Sequence, residues 1–495
     1  MSFQIAMIGL GVMGKSLALN LVDHGIKVAG YDLNQANRIR TLQEAASLST
    51  IAGKGQFAAA DDLAHLLSLL DKPRVIALSV PAGDIVDQVI TQLLDAGLEP
   101  QDIVIDTGNS LWTDSERREH VYTGRLRFFS TAVSGGEQGA RHGPSLMASG
   151  DQEAWAFIEP MWQAIAAKVD AAGKPIDSHQ QGDSCAAYLG PAGAGHYVKM
   201  VHNGIEYADM QLICEAYQYL RDVMTLSAQE IGQVFEGWNQ GVLNSYLMEI
   251  SADILQQQDP QTGAMLVDMI LDTAEQKGTG LWTAVNSLQT GCPAPSLAQA
   301  VFARALSANK ARRSLASKQL PAQTMIADYC LDTVLRDLES ALYCAKLAVY
   351  AQGFDLMKTT SDKEGWKLNF ADIARIWRSG CIIRAGFLHQ IAMAYQSQPE
   401  LEHLLLAPEF ASALSDRLPG WRQIAAQSMF SGVPMPSLTS ALSYYDALRC
   451  EVLPANLLQA QRDYFGAHTY ARVDQPAGKK FHLLWETQYR QQVER

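Results

Sequence analysis

Residues 5–25 read IAMIGLGVMGKSLALNLVDHG. An apolar run enters a strand directly, GLGVMG follows it, and MGKSLALNLVDHG has the pattern of a helix. Glycine at Gly9 and Gly11 lets the backbone turn tightly and approach a pyrophosphate. Gly14 lets the helix pack against the strand, and the helix N-terminus attracts negative charge. A bare GxGxxG carries little weight, but here the strand before it and the helix after it are both present. The stretch therefore predicts a dinucleotide-binding βα unit rather than a merely structural turn.

Outward from this unit, short β-branched runs alternate with helical stretches: KVAGYD, VIALSV, IVIDTGN, LRFFSTAV and SLMASG. That alternation predicts a Rossmann-type α/β domain with a doubly wound parallel sheet over residues 1–190. The turn-rich GKPIDSHQQGDS, residues 173–184, marks its exit. Strand signals then cease, and residues 191–450 predict a large all-α domain. Two stretches within it, EIGQVFEGWNQG from 230 and ADIARIWRSG from 371, share a local pattern that suggests an internal duplication. Residues 451–495 form a C-terminal tail, too turn-rich around VDQPAGKK to continue a helix, and expected to be disordered or docked on another surface.

Length and composition narrow the function classes. A chain of 495 residues with 48% hydrophobic and 18% charged residues suits two or more globular domains. No apolar run approaches the roughly 18 residues of a membrane span, and MSFQIAMIGLG lacks the basic region of a signal peptide, so a cytoplasmic protein is expected. A net charge of −13 argues against nucleic-acid binding. The seven cysteines have no paired spacing, and neither a metal site nor a disulfide framework is expected.

Several positions carry candidate chemistry. Asp32 ends the second strand 18 residues after Gly14, where a carboxylate can accept hydrogen bonds from ribose hydroxyls. A 2′-phosphate about 4 Å away would meet about 4 kcal/mol of repulsion at an effective dielectric near 20, roughly a thousandfold in affinity. NAD is thus favoured, although Arg38 or Arg40 could offset part of the repulsion and keep NADP open. Ser134, Gly135 and Gly136 follow a strand and offer a hydroxyl and freed amides to an anion, while Asn109 stands at another strand end. In HYVKMVHNGIEY, residues 196–207, Lys199, His202, Asn203, Glu206 and Tyr207 fall at i, i+3, i+4, i+7 and i+8. A polar stripe on an otherwise apolar helix is either a solvated face or the wall of a wet cavity. Lys277, Arg304, Arg462 and His468 are isolated polar positions further on.

Taken together, GLGVMG, VSGGEQGARHGPSLM, KMVHNGIEY, QKGTGLW, AVFARAL, GCIIR and RDYFGAHTY resemble, in order and spacing, the 6-phosphogluconate dehydrogenase family over nearly the whole chain. The last four lie outside what related short β-hydroxyacid dehydrogenases share. The resemblance implies oxidative decarboxylation of 6-phosphogluconate to ribulose 5-phosphate with reduction of NAD or NADP, in the oxidative pentose phosphate pathway. It implies Lys199 as base and Glu206 as acid, with Asn109, Ser134, Gly135, Gly136, His202 and Asn203 holding the sugar acid. Tyr207, Lys277 and Arg304 would bind the phosphate, joined by Arg462 and His468 from the tail of the partner in a homodimer. Cofactor contacts are expected at Gly9, Gly11, Val12, Met13 and Gly14, at Asp32, Leu33 and Asn34, at Val80, Pro81 and Ala82 after the third strand, and at Asn109. Most of the family carries Asn-Arg-Thr where this chain has Asp32, Leu33 and Asn34, and a lysine where it has Pro81. Both changes remove positive charge near the adenosine, which again points to NAD.

Overall fold

The structure, a computed structural model, describes residues 2–49, 53–191, 193–276, 278–322 and 329–495. The chain divides into two compact units, Met1–Ala441 and Leu442–Arg495.

The first unit opens on β1 (Ile5–Ile8), β2 (Val28–Tyr31), β3 (Phe57–Ala59), β4 (Val75–Leu78), β5 (Ile103–Asp106), β6 (Arg127–Ser134) and β7 (Ser145–Gly150). An eighth strand, Ala186–Tyr188, joins the far edge, and the sheet runs from it through β7, β6, β5, β4, β1 and β2 to β3. All neighbours are parallel except β6 and β7. Strands buried on both faces explain why β1 and β4 read as unbroken apolar runs. The strand order reverses between β1 and β4, and ligands of open α/β sheets bind beyond the carboxyl ends of the strands at such a point.

Short strands depart from the sequence reading in three places. The strand Phe57–Ala59 is only three residues long, too short to show alternation, so VIALSV belongs to the fourth strand rather than the third. The stretch 173–184 contains the two-residue strands Pro175–Ile176 and Asp183–Ser184, and the main sheet regains a strand immediately after it. Strands also do not end for good near residue 190, because Phe481–Leu483 and Gln492–Glu494 pair antiparallel in the second unit.

From Gly193 onward the first unit is helical. A long helix Gly193–Asp222 is followed by Ala228–Asn239 and Tyr246–Gln256, and a long helix Leu331–Glu364 by Phe370–Ile376 and Phe387–Ser397. The two triplets repeat one order, roughly 140 residues apart. Their connecting segments meet, with the Tyr246 amide donating to the Arg384 carbonyl at 3.0 Å and the Gly386 amide to the Asn244 carbonyl at 2.9 Å. The two long helices are joined by a fully buried ion pair, Lys346 to Asp209 at 2.7 Å.

The second unit is ordered around one buried carboxylate. Asp463, on the helix Ala455–Gly466, accepts from the Trp485 indole at 2.9 Å and from the amides of Thr469 and Leu483 at 3.0 and 3.1 Å. His482 Nδ1 lies 2.9 Å from it. Burial alone would raise this carboxyl, but these donors hold it below the usual carboxylate range.

Candidate active site

The glycine loop is shaped by contacts that only glycine permits. Gly9 has φ of 89°, and a Cβ there would lie 2.3 Å from the Ser79 carbonyl oxygen at the end of β4. A Cβ on Gly14 would lie 1.9 Å from the Gly9 carbonyl oxygen. Gly11 differs, since nothing lies within 4 Å of where its Cβ would point. The helix Val12–Asp23 starts there with no side-chain hydrogen bond from its N-cap, Gly11, to its first amides. The loop borders a cavity of about 380 Å³ lined by Gly11, Val12, Met13, Val80, Pro81, Ala82 and Asn109, seven of the positions at which cofactor contacts are expected. Leu17, Ser79, Thr107, Gly108 and Val133 line it as well. Gly9 and Gly14 act beneath the wall as packing positions.

Asp32, Leu33 and Asn34 are not on this cavity's wall. Asp32 is nonetheless held in place: its Oδ2 accepts the Leu10 amide of the glycine loop at 2.6 Å and its Oδ1 the Asn34 amide at 2.7 Å. Leu33 is 89% exposed. Arg38 donates to the Asp32 carbonyl at 2.9 Å and lies 5.7 Å over the Tyr31 ring, whereas Arg40 turns to Asn37.

The helix Gly193–Asp222 decides between the two readings of the polar stripe. His202 is fully buried, Lys199, Asn203 and Tyr207 are buried, and the Glu206 side chain is 21% exposed. The stripe is no solvated face. Lys199 Nζ donates to Asn203 Oδ1 at 2.7 Å and to Ser134 Oγ, at the end of β6, at 3.3 Å. His202 Nε2 lies 3.3 Å from the same hydroxyl, and its Nδ1 lies 3.7 Å from Glu206 Oε2. Gly135 fits beside this group because a Cβ would fall 2.6 Å from the Gly380 carbonyl oxygen, while Gly136 faces open space.

Charge in this cluster is governed by burial. Desolvation pushes the Lys199 ammonium down from the lysine range, against the opposing pull of Glu206. Desolvation likewise pushes the Glu206 carboxyl up, although Lys199 and Arg304 work the other way. His202 falls well below the imidazole range because it is buried and because Lys199 is near, so it stands neutral. Burial thus works against the charged form of each group, on two side chains carried about two turns apart.

Tyr207, directly after Glu206, is gripped as well. The Arg304 guanidinium stacks 3.5 Å over its ring, and the ring packs so close to Gly280 that a Cβ there would lie 2.4 Å from it. Arg304 also donates to the Glu275 carbonyl at 3.3 Å. Lys277 lies outside the described residues. Arg462 and His468 belong to the second unit, where Arg462 is exposed and donates to Gln459 at 3.2 Å, and the His468 ring packs 5.9 Å from Phe465.

Two supporting residues escaped the sequence reading. His196 bridges the Gly108 carbonyl, 3.0 Å from Nε2, and the Ser115 hydroxyl, 2.6 Å from Nδ1. Its signal was available, since it precedes Lys199 by three residues and so shares its face. Trp377, whose ring meets His202 edge-on at 5.5 Å, comes from a distant segment and left no such signal.

Comparison with known proteins agrees with this geometry. Residues 4–173 match the family model described as the NAD binding domain of 6-phosphogluconate dehydrogenase, and residues 195–485 match that of the 6-phosphogluconate dehydrogenase C-terminal domain. The chain is 49% identical to the decarboxylating 6-phosphogluconate dehydrogenase of Candida albicans, over 94% of this chain and 87% of that protein. It is 45% identical to the NADP(+)-dependent, decarboxylating enzyme of Bacillus subtilis, over 97% and 99% respectively. Among solved structures, 6-phosphogluconate dehydrogenase of Plasmodium falciparum superposes with a TM-score of 0.91 at 39% identity, covering 97% of this chain and all of that one. That enzyme is described without ligands, with its cofactor NADP+ and with its substrate 6-phosphogluconate.

Proposed function

The chain belongs to the 6-phosphogluconate dehydrogenase family, an NAD(P)-binding family of oxidoreductases, and from that premise we propose its reaction, its cofactor and its acting residues. The reaction is oxidation and decarboxylation of 6-phospho-D-gluconate to D-ribulose 5-phosphate and carbon dioxide. The observation that carries it is the stripe Lys199, His202, Asn203 and Glu206, buried but for part of Glu206 and with Lys199 and His202 against Ser134, in a chain alike over 94% of its length to a decarboxylating enzyme.

The open space at Gly11 and the uncapped helix behind it suit a pyrophosphate, and Asp32 suits an adenosine ribose. A bound nicotinamide supplies the hydride acceptor for carbon 3 of the sugar acid. Lys199, whose ammonium burial disfavours, takes the proton of the carbon 3 hydroxyl in its neutral form. As an ammonium it then hydrogen-bonds the carbonyl oxygen formed there, which stabilises the negative charge that develops as carbon dioxide leaves. Glu206, whose charged form burial disfavours, delivers its proton to the carbon left behind, carbon 2 of the sugar acid, which becomes carbon 1 of ribulose 5-phosphate. Seven residues of helix separate the two backbones by about 10.5 Å, so a long lysine and a shorter glutamate can converge on three reacting carbons.

NAD is the preferred cofactor in this reading. Asp32 supports it, whereas the Plasmodium falciparum and Bacillus subtilis relatives are described with NADP. Arg304 and Tyr207, with Lys277, bind the phosphate. Arg462 and His468 complete the site from the tail of a second copy, and the exposure of Leu457, Leu458, Tyr464 and Phe465 on the tail's helix supports a tail that docks. The direct test mixes the purified chain with 6-phosphogluconate and either dinucleotide and follows reduced nicotinamide and carbon dioxide. Equimolar release of both is expected, and absence of either refutes the assignment.

A further inference from the structure

One fully buried guanidinium reaches both loops that wall the dinucleotide cavity. Arg118, on the helix Trp112–Tyr122, has no exposed side-chain surface. Its Nη2 donates to the Gly83 carbonyl at 2.8 Å and to Asp87 Oδ2 at 3.0 Å. Its Nη1 donates to Asp106 Oδ2 at 3.4 Å. Gly83 closes the Val80–Pro81–Ala82 segment and sits at φ of 94° just before the helix Asp84–Asp95. Asp106 ends β5 and ties down the next loop by accepting the Gly108 amide at 2.9 Å and the Ser110 hydroxyl at 2.6 Å. Ala82 and Pro81 on one side, and Gly108 and Asn109 on the other, line the cavity. The Gly108 carbonyl is in turn held by His196, three residues before Lys199 on the same helix.

We propose that Arg118 is a positioning residue for dinucleotide binding: it fixes the Val80–Gly83 and Thr107–Ser110 segments against each other, and through His196 against the helix that carries Lys199. A planar fork is required. Three acceptors lie in different directions, and a guanidinium reaches them with separate N–H groups, whereas an ammonium donates from one point. The proposal rests on the functional reading above only in taking that cavity to hold the dinucleotide.

A matched pair elsewhere gives the control. Arg74 donates to Asp102 Oδ2 at 2.8 Å, but these residues precede β4 and β5, at the strand ends away from the cavity. The full-length variants Arg118→Lys, Asp87→Asn and Arg74→Lys are compared with wild type by thermal melting, by dinucleotide titration, and by 6-phosphogluconate titration without nucleotide. Arg118→Lys should weaken the dinucleotide about tenfold or more and the sugar acid less than about threefold. Arg74→Lys should melt earlier with dinucleotide affinity unchanged. Equal weakening of both ligands by Arg118→Lys, or dinucleotide affinity within about twofold of wild type, overturns the proposal. Asp87→Asn frees one anchor of the guanidinium without removing it; a loss of about threefold confined to the dinucleotide is expected, and no loss overturns the proposal if Arg118→Lys does not fold. A wild-type chain that binds the dinucleotide but fails to oxidise 6-phosphogluconate refutes the proposed reaction and leaves this inference standing.

Discussion

Replacing Asp32 by asparagine tests the cofactor preference most directly. The carboxylate is pinned by the Leu10 and Asn34 amides at 2.6 and 2.7 Å, so it cannot swing away from an incoming 2′-phosphate. At about 4 Å and an effective dielectric near 20 the repulsion is about 4 kcal/mol per unit charge. Arg38, bound to the Asp32 carbonyl at 2.9 Å, offsets part of it. Neutralising the side chain should therefore recover about 2–4 kcal/mol, a rise of roughly 30- to 1000-fold in kcat/KM for NADP. Asparagine offers one oxygen where aspartate offers two, so one amide loses its acceptor at a cost of about 1 kcal/mol in stability. The NAD ribose also loses a charge-assisted bond, and kcat/KM for NAD should fall about tenfold. Initial rates at subsaturating dinucleotide and saturating 6-phosphogluconate measure both. A selectivity ratio that moves less than about threefold, or a wild-type enzyme that prefers NADP, refutes the electrostatic argument.

Lys199→Ala should cut turnover by at least about a thousandfold while dinucleotide titration stays within about twofold of wild type; substantial residual turnover removes Lys199 as the base. In wild type, activity should rise with pH as Lys199 loses its proton and fall as Glu206 loses its own. Burial lowers the first and raises the second, so both limbs must lie between about 4.3 and 10.4, the ordinary carboxyl and lysine values, and a limb outside that interval contradicts the reading. Gly11→Ala adds a methyl into open space, so melting should be nearly unchanged while the dinucleotide KM rises about tenfold or more; Gly14→Ala, 1.9 Å from a carbonyl oxygen, should instead lower the melting temperature. Deleting residues 451–495 should raise the KM for 6-phosphogluconate at least about tenfold and shift sedimentation toward the monomer, and a truncated chain with normal KM refutes the tail's role.

Legibility followed the range of the interactions. GLGVMG and KMVHNGIEY were readable because each assembles its chemistry within three turns of chain, by spacing that strand and helix geometry fix. The strand Phe57–Ala59 was not, being held by its pairing to β2 rather than by its own pattern. Asp463 is one acid among many until Thr469, Leu483 and Trp485 converge on it across some twenty residues. Arg118 reads as half of an Arg-Arg pair on a polar helix, and only tertiary structure separates it, fully buried, from Arg117, whose side chain is 47% exposed. Lone polar residues buried by distant segments leave no periodic trace.

The protonation states at the centre follow from a contest that can be read from its signs. Attraction between Lys199 and Glu206 would raise the lysine and lower the glutamate, leaving an ion pair; both groups move the other way, so burial dominates for each. The proposed sugar acid brings two anionic groups, a carboxylate and a phosphate of about −2. Negative charge placed beside Lys199 would favour its ammonium and take away the base, unless the charge is met elsewhere. Arg304 is stacked on Tyr207, eight residues beyond Lys199, and in the proposed site this cation would meet the phosphate at a distance from the amine. In the proposed reaction the length of the stripe would serve two needs at once: it would span the substrate, and it would keep the charge that anchors the substrate away from the amine that must start uncharged.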